Sequence, residues 1–105
     1  MEDLSKQQFK FLRKIAQKEK ALFQVGKLGI TQVFIEQIDS AIEKREIVKF
    51  NILQNSDEEI DQAAQQIAEE INAMIVQMIG NTAVLYRPSS KAKYQRISTE
   101  LAELK

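Results

Sequence analysis

Apolar residues along this chain recur first at helical spacing, then in short strand-like runs, then at helical spacing again. Phe9, Leu12, Ile15 and Ala16 share one side of a helix predicted over 5–19, with Ser5 placed as its N-cap. Ala21, Leu22, Phe23 and Val25 make a short apolar strand. A second helix, over 32–44, carries Phe34, Ile38, Ala41 and Ile42 as its core-facing stripe. In Glu46–Leu53, Val48, Phe50 and Ile52 alternate with Lys49 and Asn51, as in a half-buried strand. A third helix, over 57–72, has Ile60, Ala63, Ala64, Ile67, Ala68 and Ile71 at near-ideal spacing. Ser56 and Glu59 stand at capping-box positions at its start. Met74–Ile79 is an almost unbroken apolar run, predicting a strand covered on both faces. Gly80-Asn81 is a two-residue hairpin signal, Thr82–Arg87 returns as a strand, and Pro88 ends it.

The order α-β-α-β-α-β-β predicts an α/β (α+β) fold, a mixed four-stranded sheet packed with helices. At 105 residues the chain has room for one core. Residues 1–88 are expected as the domain proper and 89–105 as a basic tail, with Ile97, Leu101 and Leu104 spaced for a short closing helix.

Composition removes several kinds of chemistry. With no cysteine and no histidine there is no disulfide framework, no usual zinc site, and no histidine base or cysteine nucleophile. The P-loop and Rossmann glycine patterns are absent. A non-enzymatic protein with no metal and no cofactor is expected. No segment reads as a signal peptide or membrane span, so a cytoplasmic monomer away from membranes is the default expectation.

The net charge of zero conceals segregation. Residues 57–72 hold six acids (Asp57, Glu58, Glu59, Asp61, Glu69, Glu70) and no base, while the segments on either side are basic. The acids at the start of the third helix are explained by the helix dipole. In the first helix Lys10, Arg13, Lys14 and Lys18 recur at steps of three and four, making one basic face. A polyanion would feel that local field rather than the total; a solvated helix surface is the competing explanation.

Gly26-Lys27-Leu28-Gly29 lies between the first strand and the second helix. Two glycines at i, i+3 allow a sharp turn with uncovered N–H groups, and the helix that follows adds its own free N–H groups and the positive end of its dipole. Lys27 adds a cation. The arrangement suits a phosphate, as in the G-x-x-G loop of KH-type RNA-binding domains, although an ordinary tight connection also fits.

In combination these residues resemble the CRM domain family, in its bacterial YhbY-like form. The matching residues are Leu12-Arg13-Lys14, Lys20, Gln24-Val25-Gly26-Lys27-x-Gly29-Ile30-Thr31, Ile79-Gly80-Asn81-Thr82 and Val84-Leu85-Tyr86-Arg87-Pro88, spanning about residues 4–88. The resemblance implies an RNA-binding domain similar in fold to the C-terminal domain of translation initiation factor three. Its expected partner is ribosomal RNA of large-subunit precursors, during ribosome assembly. It also implies an RNA-contacting loop of Gly26, Lys27, Leu28 and Gly29, supported by Lys20, Arg13, Lys14 and Lys18. Leu28, where the family often has a small or polar residue, and Ala21, where it often has proline, depart from the pattern. Arg87, Lys91 and Lys93 are expected to extend the surface, with Tyr86 and Tyr94 as candidate stacking residues. The alternative is a protein-interaction module using the acidic third helix against ribosomal proteins.

Overall fold

The computed structural model describes residues 4–104. Helix α1 (Lys6–Lys18) starts at Ser5, whose hydroxyl accepts from Gln8 N–H while the Gln8 side chain returns to Ser5 N–H. This reciprocal pair satisfies two otherwise free donors. Strand β1 (Phe23–Val25) is shorter than its apolar run. It is followed by α2 (Gln32–Arg45), β2 (Ile47–Ile52), α3 (Ile60–Ile71), β3 (Met74–Ile79) and β4 (Thr82–Tyr86). A 3₁₀ turn (Ala92–Tyr94) and α4 (Ile97–Glu103) close the described chain.

The sheet order is β1-β2-β4-β3, with β1 parallel to β2 and β4 antiparallel to both of its neighbours. The mixed α+β architecture expected from the pattern is therefore the observed one. One sheet face packs on α2 and α3 through Val48, Phe50, Ile52, Ala83 and Leu85. There Phe34 meets Phe23 and Phe50 edge to face, each pair of ring centroids 6.3 Å apart. On the other face Ile47, Val76, Val84 and Tyr86 pack against Leu12 and Ala16 of α1 and Leu101 of α4.

Four expectations change. The third helix begins at Ile60, not 57: its cap residue Glu59 makes no side-chain cap, and Ser56 Oγ accepts from Glu58 N–H in the preceding loop. Asp61 is then the one acid in the first turn, with Glu59 at the cap, while Asp57 and Glu58 lie in the preceding loop. Strand β3 is an edge strand with Met78 and Ile79 exposed, so its apolar run does not mark burial on both faces. The second helix buries Ile35 with Ile38 and Ile42, leaving Phe34 and Ala41 partly buried.

The fourth change concerns the tail. Glu46 ends α2 in the left-handed region (φ 68°) and is fully buried. Its Oε1 accepts from the N–H groups of Arg96, Ile97 and Ser98 at 3.0, 2.8 and 3.1 Å, and Oε2 accepts from Ser89 N–H and Ser98 Oγ. One carboxylate thus caps α4 from inside the domain, while Gln8 Nε2 donates to the carbonyls of Leu101 and Leu104. Leu101, with Ile97 beside it, packs this segment on the α1 side of the sheet.

Candidate nucleic-acid interface

The Gly26–Gly29 segment is a closed turn. Gly29 N–H donates to Gly26 O at 3.0 Å, so this amide is used within the loop. Gly29 adopts φ +71°, where a side chain is strained, whereas Gly26 does not need the left-handed region. Thr31 caps α2 by accepting from Phe34 N–H, and α2 has no acid in its first turn. The amides of Lys27 and Leu28, and those of Gln32 and Val33 at the helix start, have no acceptor among the described residues. Lys27 is exposed and Leu28 is 88% exposed, so Leu28 points outward rather than packing into the core. The turn and the first turn of α2, with Val33 and Gln37, line a shallow groove.

An acid lies against this loop that its place in the sequence does not reveal. A Cβ built on Gly29 would fall 2.8 Å from Glu58 Oε2. Strands β1 and β2 are parallel, so the loops leaving their C-terminal ends, 26–31 and 53–59, are neighbours. The Glu58 part of the acidic segment is therefore beside the loop. Its charge opposes any anion seated there. Glu58→Gln is expected to raise affinity for an RNA oligonucleotide about two- to fivefold at low salt, the scale of one half-buried surface charge several ångströms away. Fluorescence anisotropy with wild type and variant side by side checks this.

Arg13, Lys14 and Lys18 are exposed on α1, and Lys20 is exposed in the connection to β1. Lys49, on β2, donates from Nζ to Ala16 O and Glu19 O at 3.4 Å each. This cation fixes the C-terminal end of α1 over the sheet, where the helix dipole is negative. Two residues further along β2, Asn51 faces the same side, and the G-x-x-G loop begins just beyond the end of β1. The face carrying Lys49 and Asn51 thus lies beside the basic C-terminal end of α1, and Gln24, paired with Asn51, joins it to the groove of the G-x-x-G loop.

Arg87 does not join this group. Its Nη1 lies 2.6 Å from Asp39 Oδ1 and 2.7 Å from Ile71 O, and its Nη2 lies 3.3 Å from Glu43 Oε1. Only 18% of the side chain is exposed, so the guanidinium serves as a clamp between α2 and α3. Tyr86 is buried; desolvation first, and then the Glu46 charge, push its hydroxyl up to about 12. It offers no face to a base. Tyr94, with Lys93 Nζ 5.0 Å from its ring centroid, packs by α2 in the 3₁₀ turn that follows Ser89 and Ser90. Those serines bind Glu43 near the C-terminal end of α2, and the G-x-x-G loop precedes its N-terminal end, roughly 20 Å away along the helix. Lys91 and Lys93 are exposed in that same distant segment.

Among the described residues no three acids come together as a metal cluster, and no helix is long and apolar enough to cross a membrane. The sequence pattern of the CRS1 / YhbY (CRM) domain matches residues 4–87. The chain belongs to this family. It is 40% identical over 90 residues to the "Probable RNA-binding protein YqeI" of Bacillus subtilis, covering 86% of this chain and 94% of that one. It is 33% identical over 95 residues to an RNA-binding protein of Haemophilus influenzae, covering 90% and 96%. The solution structure of the hypothetical protein SAV1595 from Staphylococcus aureus matches with a TM-score of 0.71 at 35% identity, over 90% of this chain and 98% of that one. The family match spans the first-helix segment Leu12-Arg13-Lys14, Lys20, the G-x-x-G turn and the β3–β4 hairpin, the segments that carry the resemblance.

Proposed function

We propose that this CRM-domain chain is a non-catalytic RNA-binding protein that holds the phosphate backbone on the Gly26–Gly29 turn and on the basic end of α1. Its RNA is the ribosomal RNA of large-subunit precursors, bound during ribosome assembly. The supporting observation is the turn itself: free amides at Lys27 and Leu28, an exposed Lys27, and an N-terminus of α2 with no acid in its first turn. Relatives named for RNA binding support the class of ligand. The ribosomal target follows from the family resemblance.

The two glycines separate binding from folding. A Cβ on Gly26 meets nothing closer than 3.9 Å, so Gly26→Val should fold normally while crowding the approach of a phosphate. Its RNA affinity is expected to fall about tenfold, one lost charge-assisted contact. Gly29→Val should also lose about 1–2 kcal/mol of stability, the cost of a side chain in the left-handed region. Unchanged RNA affinity in folded Gly26→Val would overturn the loop assignment. For the target, the protein should sediment with large-subunit precursors in a low-salt gradient of cell extract. Recovery only in the free fractions would contradict the ribosomal part.

A further inference from the structure

The partly covered strip of sheet beside α1 has its own shape and chemistry. Cross-strand pairing places Gln24, Asn51, Thr82 and Ile79 in one row across all four strands, on the face that α1 only partly covers. The neighbouring row runs Lys49, Val84, Gln77. Lys49, Gln77, Ile79, Thr82 and Val84 enclose a concavity of about 190 Å³. Val84 and Ile79 give it apolar walls, and Ile79 is 65% exposed although it lies on a sheet. Gln77 and Thr82 add polar groups, and Lys49 adds a positive charge.

A second observation lies beside it. Asn51, the cross-strand partner of Thr82, has a buried Oδ1 with no hydrogen-bond partner. Its burial closes it to a ligand, so the side chains beside it, Gln77 and Thr82, are the ones that present polar groups to the concavity. The row also leads to the phosphate-binding turn: Gln24 pairs with Asn51 and lines the groove of the loop. From Gln24 to Thr82 is two strand spacings, roughly 10 Å.

We propose that this concavity receives an unstacked nucleobase of a single-stranded RNA whose backbone lies on the loop and the α1 bases; this rests on the RNA-binding function above. The base packs against Ile79 and Val84, and polar groups on its edge meet the Gln77 amide and the Thr82 hydroxyl that line the concavity. Lys49 and the nearby Lys18 supply the positive field that a strand needs to cross the strip. A duplex keeps its bases stacked and paired, so it engages the loop and α1 but leaves this site empty.

The test uses the full chain with a 12-nucleotide single-stranded RNA of mixed sequence and with the corresponding duplex. The wild type is expected to favour the single strand. Thr82→Val removes a polar group that lines the concavity and keeps a β-branched side chain suited to a strand, so it should fold like the wild type while losing about tenfold in single-strand affinity, the scale of one base contact. Ile79→Ser, at an exposed position, should act in the same direction. Duplex affinity and the salt slope should change less than about twofold in both, since no phosphate contact is removed. Preference for the duplex in the wild type, unchanged single-strand affinity in the variants, or equal losses for both RNAs would overturn the base site and leave RNA binding standing. A wild type that binds neither RNA would overturn both.

Discussion

A Glu46→Ala variant is expected to lose about 3 kcal/mol of stability in urea unfolding at pH 7, a large share of what a domain this size has. The substitution leaves five donors without their common acceptor. It also keeps the left-handed backbone that a glycine would relax. The loss has a ceiling: α4 can undock and give its amides to water, so the cost cannot exceed the free energy of docking residues 89–104. Hydrogen exchange should then show α4 exchanging early, with the sheet still protected. Loss of protection throughout the molecule would mean that the tail is integral to the fold.

The same carboxylate gives the domain a pH signature. Burial alone would raise the Glu46 pKa, but the Ser98 hydroxyl and the amides of Ser89, Ser98 and Ile97 outweigh it and hold the group below its ordinary 4.5. Glu43 is also lowered, chiefly by the Ser90 hydroxyl, with burial opposing and Ser90 N–H, Ser89 and Arg87 assisting. A group whose folded pKa is depressed contributes stability that is full above the unfolded value and disappears as pH falls through the folded one. Wild-type stability should therefore decline as pH drops below about 4.5, and Glu46→Gln should flatten that decline.

Changing Arg13, Lys14 and Lys18 together to glutamine is expected to lower affinity for RNA of any sequence by on the order of a hundredfold near 0.1 M salt. The slope of log affinity against log salt should become shallower by about two, because three counterion-releasing contacts are removed. The folded state should hardly notice, since all three side chains are exposed. An unchanged slope would remove α1 from the interface. A loss confined to particular sequences would mean that these side chains read bases rather than phosphates.

Elements with strong local patterns were legible in the sequence: the capped first helix, the glycine turn into α2, and the β3–β4 hairpin. Each is specified by residues within a few positions of one another. The misplaced features depend on partners far away in the chain. Arg87 follows a strand and resembles a surface base, yet Asp39, Glu43 and Ile71 O enclose it once α2 and α3 have packed. Glu46 reads as the first residue of a half-buried strand, and its role is set only when α4, fifty residues on, closes over it. The third helix starts late, and the 53–59 segment that leaves β2 beside the G-x-x-G loop brings Glu58 to Gly29. Periodicity locates a helix but does not say which loop its first residues must pass. Thr31 carried a readable signal, a threonine just before an apolar stripe, and it is the cap of α2. The strip holding Asn51 and Thr82 had no such signal, because its row exists only across strands.

The most direct measurement is to titrate isotopically labelled protein with a short single-stranded RNA and follow the backbone amide signals. If the loop and α1 carry the RNA, the largest shifts should fall on Lys27, Leu28, Gln32 and Val33. A second group should run from Arg13 to Lys20, and α3 around Glu69 and Glu70 should stay quiet. Shifts concentrated on α3 or around Arg87 and Tyr94, with the 26–33 amides unmoved at saturation, would contradict the assignment of this loop as the RNA site.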